Sequence, residues 1–329
     1  AQGQRPSGCW KCWQEDEQGI ESMRWSSFDI FPKQIEKHTP AFPQFLELFP
    51  GNVCNLKCRI CTPLLSTKWL AEAEDAGGTT YSTYDNLDEA QVEELLAHAD
   101  AIQDLAIMGG EPLLMPKALN LLERLAASGA AAHIRLRLST NTSLYKEDFI
   151  PLAAAFKRSK IYFSMDDVGP RFEYQRKGAK WADSVANVQA YMQQAAPHPH
   201  VHLLISCAVG SLNAYYLPTF FDTCAQAFPG LPVEINLVHT PAAYNLANLP
   251  DEAKAAIAQA LNQATPPASI RANYTAAKHK VLAGLHTEPT GSLADFWQEV
   301  QRADLYRGED FAATFPQLHQ LLATAPTPA

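Results

Sequence analysis

The chain has little basic charge to spare. Its 26 lysines and arginines stand against 35 aspartates and glutamates, a net −9, which argues against a broad face for nucleic acid or for an anionic membrane surface. It has no apolar run long enough to span a bilayer and no signal-peptide pattern at its start. No membrane association is expected, and nucleic acid is an unlikely partner. Cysteine is sparse, seven in 329 residues, and none follows Cys224. Three of the seven crowd into one short stretch, a usage that fits metal chemistry in a reducing compartment better than a disulfide framework. The expected location is the cytoplasm. The opening residues 1–8 and the tail 323–329 read as flexible ends.

The crowded stretch is Cys54-Asn55-Leu56-Lys57-Cys58-Arg59-Ile60-Cys61, directly after the strand-like run Phe45–Phe49. It places three thiols in one loop. An iron–sulfur cube takes four cysteine ligands, so three from one loop leave one iron open to a ligand that is not protein. A zinc knuckle completed by a distant His or Cys is the bland alternative.

From Phe45 onward strand and helix patterns alternate. Strands are expected at Phe45–Phe49, Asp104–Met108, His133–Thr140, Lys160–Asp166, His202–Val209 and Val233–Val238. Helices are expected at Asp88–Ala101, Pro116–Ala127, Phe149–Arg158, Trp181–Ala195 and Tyr216–Ala227. Six strand–helix units in series imply an α/β protein with a parallel sheet. A doubly wound sheet and a barrel both satisfy that pattern. Period-two alternation assigns Leu136, Leu138, Ile161, Phe163, Ile205 and Ile235 to the helix-facing side. Arg135, Arg137, Ser139, Asn141, Tyr162, Ser164, Asp166, His202, Ser206 and Glu234 then face inward. Buried charges require partners, so Arg135 and Arg137 are expected to meet Asp166, Glu234 or Glu47. Arg137, Ser139, Asn141, Ser164 and Asp166, nearer the strand tops, are as readily ligand contacts as structural groups.

A second motif, Gly109-Gly110-Glu111-Pro112, closes the run Leu105–Met108. The C-x3-C-x2-C spacing and this turn together resemble the radical S-adenosylmethionine (SAM) enzymes, over roughly residues 45–245. The zinc alternative explains neither the turn nor the strand–helix alternation. The resemblance implies an open parallel (β/α)6 partial TIM barrel, with a [4Fe–4S] cluster on Cys54, Cys58 and Cys61 and SAM chelating the open iron. It implies Gly109, Gly110 and Glu111 at the SAM amine and Ser164 at its ribose or carboxylate. Arg176 becomes the partner of the carboxylate, with Arg171 as runner-up. Asn213 falls at a ligand edge, and Val238 and His239 fall against adenine. Ile60 departs from the aromatic residue many relatives carry before the last cysteine, while still offering an apolar face. A flavodoxin- or ferredoxin-like protein is the implied electron donor.

The branch with SPASM or twitch extensions is the nearest in feel, but its auxiliary clusters use cysteines after the barrel, which this chain lacks. Residues 246–329 read instead as a helical region: Asp251–Ala264, Ile270–Leu285, Ser292–Tyr306 and Phe311–Leu322. Residues 1–44 read as an N-terminal arm, where Cys9 and Cys12 form a C-x2-C pair, half of a metal site at most. Cys207 and Cys224 read as buried thiols. The branch suggests a peptide or peptidyl substrate, although no winged-helix-like leader-binding module is evident. A small metabolite such as an amino acid or nucleoside derivative is the second reading, and a non-catalytic iron–sulfur scaffold the third. Tyr162, Tyr174, Tyr215 and Cys207 are candidate hydrogen-atom donors.

Overall fold

The computed structural model describes residues 5, 7–17, 19, 22, 42–75, 82–84 and 86–323. The flexible ends expected at residues 1–8 and 323–329 lie mostly outside this set. The chain forms two compact units, Ala1–Pro43 and Gln44–Ala329. In the first, a turn at Ser7–Cys9 leads into a helix at Trp10–Glu17. There Arg5 pairs with Glu17 and lies over the Trp13 ring.

The second unit is built on six strands: β1 (Phe45–Leu48), β2 (Asp104–Ile107), β3 (Arg135–Thr140), β4 (Arg158–Ser164), β5 (Val201–Val209) and β6 (Val233–Leu237). They pair in sequence order, every pair parallel. A parallel sheet in sequence order with a helical crossover after each strand coils one way only. The result is the partial barrel the alternation and motifs predict, not a doubly wound sheet. All six expected strands form, each within two residues of its expected ends.

The alternation of side chains decides which face is covered. Along β3 the even-numbered Leu136, Leu138 and Thr140 are buried and the odd-numbered residues half-buried. β4 repeats the pattern, with Ile161 and Phe163 buried and Lys160, Tyr162 and Ser164 half-open. The buried face packs against the crossover helices. Pro116–Ala127 starts on its proline, favoured where no backbone N–H is needed, and presents Ala118, Leu121, Leu122 and Leu125 inward. Trp181–Ala195 contributes Val188 and Tyr191, whose ring stacks on Phe163 at 5.6 Å.

Two expectations about charge are corrected. Arg135 pairs with Asp104, its register neighbour on β2, through two Nε–carboxylate contacts of 3.1 and 3.0 Å. It does not meet Asp166, which lies beyond the opposite end of the barrel. Glu234 pairs with Lys160 at 2.9 Å. Arg137 lies over the Phe45 ring instead, 4.7 Å from its centroid.

A short helix that is not among the expected ones forms at Gly169–Gln175. The C-terminal region packs as helices Asp251–Gln263, Arg271–Gly284 and Leu293–Arg307. The last starts from a Ser292–Asp295 capping box and ends at Gly308 in the left-handed region. The expected final helix is broken in two, Phe311–Thr314 and Pro316–Ala323, because Pro316 lacks the N–H that a continuous helix would use. Among the described residues no helix is long and apolar enough to cross a membrane.

Candidate cofactor site

The two motifs are joined by their backbones. Beyond β1 the chain runs alongside the turn after β2. The amide of Met108 donates to the Leu48 carbonyl at 2.9 Å, Gly110 to Gly51 at 3.1 Å and Glu111 to Val53 at 2.8 Å. This approach leaves no room for side chains. A Cβ on Gly110 would stand 2.2 Å from the Val53 oxygen, and one on Gly109, which also sits at φ +110°, 2.6 Å from the Gly51 oxygen. The glycines are therefore required by the joint itself, whatever they do for a ligand.

The cysteine loop follows immediately. The Cys54 sulfur accepts from the Leu56 amide at 3.5 Å and from the Asn141 side chain at 3.7 Å. Lys57 and Cys58 form a short antiparallel pairing with Arg176 and Lys177. The Cys58 carbonyl takes hydrogen bonds from the Trp69 indole at 2.9 Å and the Cys61 amide at 3.1 Å. Burial pushes all three thiols up, Cys58 to about 12 and Cys61 to about 11, and each of these two is raised further by neighbouring cysteines. Arg176, 3.8 Å from the Cys58 sulfur, pulls the other way. Three thiols that resist ionising together form a donor set that fits a positively charged, thiophilic group, whose arrival would drive the protons off. No three His, Cys, Asp or Glu side chains among the described residues converge on the position of a single metal ion. A tetrahedral zinc would draw its thiolates to about 3.8 Å apart; an iron–sulfur cube carries its ligands on separate irons and spreads them further.

Around the loop, several expected ligand contacts are committed to the protein. Glu111 is fully buried, and its carboxylate accepts from Thr140 Oγ1 at 2.9 Å and from the amides of Asn141 at 2.7 Å and Leu113 at 3.1 Å. It ties the tops of β2 and β3 together. Asn141 donates to Asn55 at 3.0 Å as well as to Cys54, and its oxygen accepts from Ser143. Its place is beneath the cluster loop. Asp166 lies in ion-pair contact with Arg176 at 2.9 Å and accepts from the Ala208 amide. Arg176 thus faces Asp166 and Cys58, and Arg171 is held by Asp167 at 3.0 Å. Asn213 donates to the carbonyls of Asp166 and Ala208 and accepts from the Gly210 amide. Val238 is buried and His239 half-buried just past β6. Ser164 stays on the half-open inward face, as does Tyr162, while Tyr174 and Cys207 are buried.

Sequence reasoning missed Asn55, Ser143, Trp69 and Arg59. The first two complete the hydrogen-bond net under Cys54, with Asn55 donating to Ser143 at 2.8 Å. Arg59, between Cys58 and Cys61 in the chain, is wholly buried, and its only sequence signal was a charge inside the motif. Cys9 is exposed and Cys12 half-buried in the N-terminal unit, both free, with no third metal-ligating side chain beside them among the described residues.

The parallel partial barrel thus carries at its strand tops a three-thiol loop bonded to a Gly-Gly-Glu-Pro turn. Residues 48–205 match the Radical SAM superfamily model. Over that span the chain carries a radical SAM domain, whose cofactors are a [4Fe–4S] cluster and S-adenosylmethionine. Among solved structures it is similar to Streptococcus suis SuiB bound to S-adenosylmethionine, with 14% identity over 74% of this chain and 51% of that one, TM-score 0.47. It is similar to native anSMEcpe with bound AdoMet, at 18% identity over 60% and 52%, TM-score 0.46. It is also similar to the methyltransferase TsrM from Kitasatospora setae, at 18% identity over 59% and 34%, TM-score 0.41. The chain spans about half the length, or less, of these proteins. No curated protein matches it.

Proposed function

We propose that the protein cleaves S-adenosylmethionine reductively and uses the resulting radical to take hydrogen from a carbon of a peptide or peptidyl substrate. The observation that carries the reading is the backbone joint between Gly51–Val53 and Gly109–Glu111, which sets the cysteine loop beside the turn expected to receive SAM. Cys54, Cys58 and Cys61 would hold the cluster. When bound, cluster and SAM together supply a one-electron cleavage that gives methionine and a 5′-deoxyadenosyl radical. The chain's own part is to bind, orient and shield: Asn141 and the Leu56 amide steady the Cys54 sulfur, Arg176 offsets the thiolate charge, and Ile60 adds apolar surface. Exclusion of water protects a radical from side reactions. A flavodoxin- or ferredoxin-like donor would supply the electron, in the reducing cytoplasm that the thiols suit.

The lateral opening of the barrel supports a peptide substrate. β1 and β6 are each paired on one side only, and the inward face near the strand tops carries hydroxyls at Ser139, Tyr162, Ser164 and Ser206. A different observation favours the second reading, a small metabolite such as an amino acid or nucleoside derivative. Arg137 keeps Nε and Nη2 buried without a hydrogen-bond partner among the described residues, next in register to Lys160. The test is anaerobic reconstitution with iron and sulfide, followed by dithionite and SAM. About four irons per chain and 5′-deoxyadenosine formation are expected. Iron uptake that survives loss of Cys58 overturns the reading. Deuterium transfer into 5′-deoxyadenosine from labelled peptide or metabolite pools separates the two substrate classes.

A further inference from the structure

The residues on either side of Cys58 are both gripped from the far end of the chain. The Arg59 guanidinium has Nη2 2.5 Å from Asp304 Oδ1 and 2.6 Å from Glu309 Oε2. It lies over Tyr174, 3.8 Å from the ring centroid, and Tyr174 donates its hydroxyl to the same Asp304 at 2.7 Å. On the other side, the Lys57 carbonyl accepts from Arg307 Nη1 at 3.0 Å. Arg307 and Lys57 also share the buried Glu72 carboxylate, at 3.0 and 3.1 Å. Asp304 and Arg307 are three positions apart and so share a face of the helix Leu293–Arg307.

This arrangement is a costly way to gain stability. A buried ion pair returns little beyond what apolar packing of the same volume would give. Arg59 also keeps Nε and Nη1 buried without a hydrogen-bond partner among the described residues, which costs stability. What it does give is geometry. Two carboxylates meet at the one nitrogen Nη2 and the Tyr174 ring lies over the guanidinium, so the side chain that springs from between Cys58 and Cys61 is anchored at its far end.

We propose that Arg59 is a positioning residue for the three-cysteine site, and that the helix Leu293–Arg307 with Glu309 is the brace that holds it, so that the cysteine loop takes its ligating shape only when the C-terminal region is docked. The cofactor part of this inference rests on the radical SAM reading; the brace itself does not. A domain that uses distant contacts to pre-shape a metal loop limits the rearrangement needed when the cluster enters.

The experiment compares the parent with Arg59→Lys, Glu309→Gln and, as a control, Arg135→Lys. The control loosens an ion pair of the same kind at the other end of the barrel. Two quantities are read. One is the alkylation rate of Cys58 and Cys61 in the cluster-free protein, by mass spectrometry; the other is iron per chain with the electron paramagnetic resonance spectrum after reconstitution. Expected are alkylation faster by about threefold or more in Arg59→Lys, a smaller rise in Glu309→Gln, and none in Arg135→Lys at comparable denaturant stability. Retained iron and the cluster signal should change in the same order. Alkylation equal to the parent in Arg59→Lys and Glu309→Gln, or a rise matched by Arg135→Lys, overturns the proposal. Should Arg59→Lys not fold, Glu309→Gln alone decides, since it removes one charge from the pair and keeps an oxygen that can accept from Nη2. Failure of the radical SAM reading is separately visible as a parent that takes up no iron through Cys58, and the alkylation result stands apart from it.

Discussion

The Glu111 carboxylate accepts the backbone N–H of Asn141 at 2.7 Å, and through that bond the Gly-Gly-Glu-Pro turn and the cluster loop share one support. Asn141 carries the contact onward to Cys54 and Asn55. The carboxylate sits where burial pushes its proton affinity up, while the donors from Asn141, Leu113 and Thr140 pull it back. It serves here as an acceptor that knits two strand tops.

Glu111→Gln should therefore be costly despite its similar shape. An amide presents an NH2 group to at least one of three donors, leaving buried hydrogens facing each other, at about 1–3 kcal/mol for an unsatisfied group. Denaturant unfolding of the cluster-free protein should show a loss of this size, and cluster incorporation should fall with it. A variant as stable as the parent would mean that the carboxylate is not the tie between β2 and β3.

Gly110→Ala tests the joint directly. The new methyl would meet the Val53 oxygen at 2.2 Å, and both partners are backbone, so the two loops must part. Gly129→Ala is the comparison. It sits at φ +81°, and its Cβ would meet nothing within 4 Å, so it should cost only about 1 kcal/mol of backbone strain. Loss of iron binding in the first variant and its retention in the second is the expected result. Equal behaviour would show that close approach is not what demands glycine there.

What the sequence made legible follows from which physical rules are local. The alternation of Arg135–Thr140 marks both a strand and its covered face. Pro116 and Ser292 mark helix starts, by a missing donor and by a capping hydroxyl. The helix Gly169–Gln175 was hidden because it is short, opens with Gly-Pro and is rich in charge. The partners of Arg135 and Asp166 were misjudged because parity tells which face a residue takes but not its height in the barrel. Among the site residues, the cysteines and glycines announced themselves by spacing. Asn213 did not reveal that its amide serves the backbone, and Arg59 could not reveal a partner 245 positions away, since such contacts leave no period in the sequence.

Asp167 should give a measurable pH signature. Burial raises its carboxyl to about 6, with Arg171 opposing. The folded state then holds this proton more tightly than the unfolded chain, where an aspartate titrates near 3.9. The stabilisation from this group is fully present below about pH 4 and is lost as pH rises to about 6, roughly 3 kcal/mol across the window. Asp167→Asn cannot titrate. The stability of the parent relative to this variant should fall by that order between pH 4 and pH 6, read by denaturant titration. A difference that is flat with pH would mean that Arg171 keeps Asp167 ionised throughout.

The four cysteines outside the cluster loop should separate by reactivity. Cys207 and Cys224 are buried, and burial raises both thiols, with Asp167 adding to the rise in each and Asp166 in Cys207. A thiol that is both inaccessible and protonated is a poor nucleophile. Cys9 is exposed and Cys12 half-buried. Alkylating the folded, cluster-free protein with iodoacetamide at neutral pH should label Cys9 first and Cys12 next. Cys207 and Cys224 should stay unmodified until denaturant is added, and their labelling should then track global unfolding. Labelling of Cys207 under native conditions would mean that the top of β5 opens locally, which would leave that thiol accessible enough to serve as a hydrogen-atom donor after all.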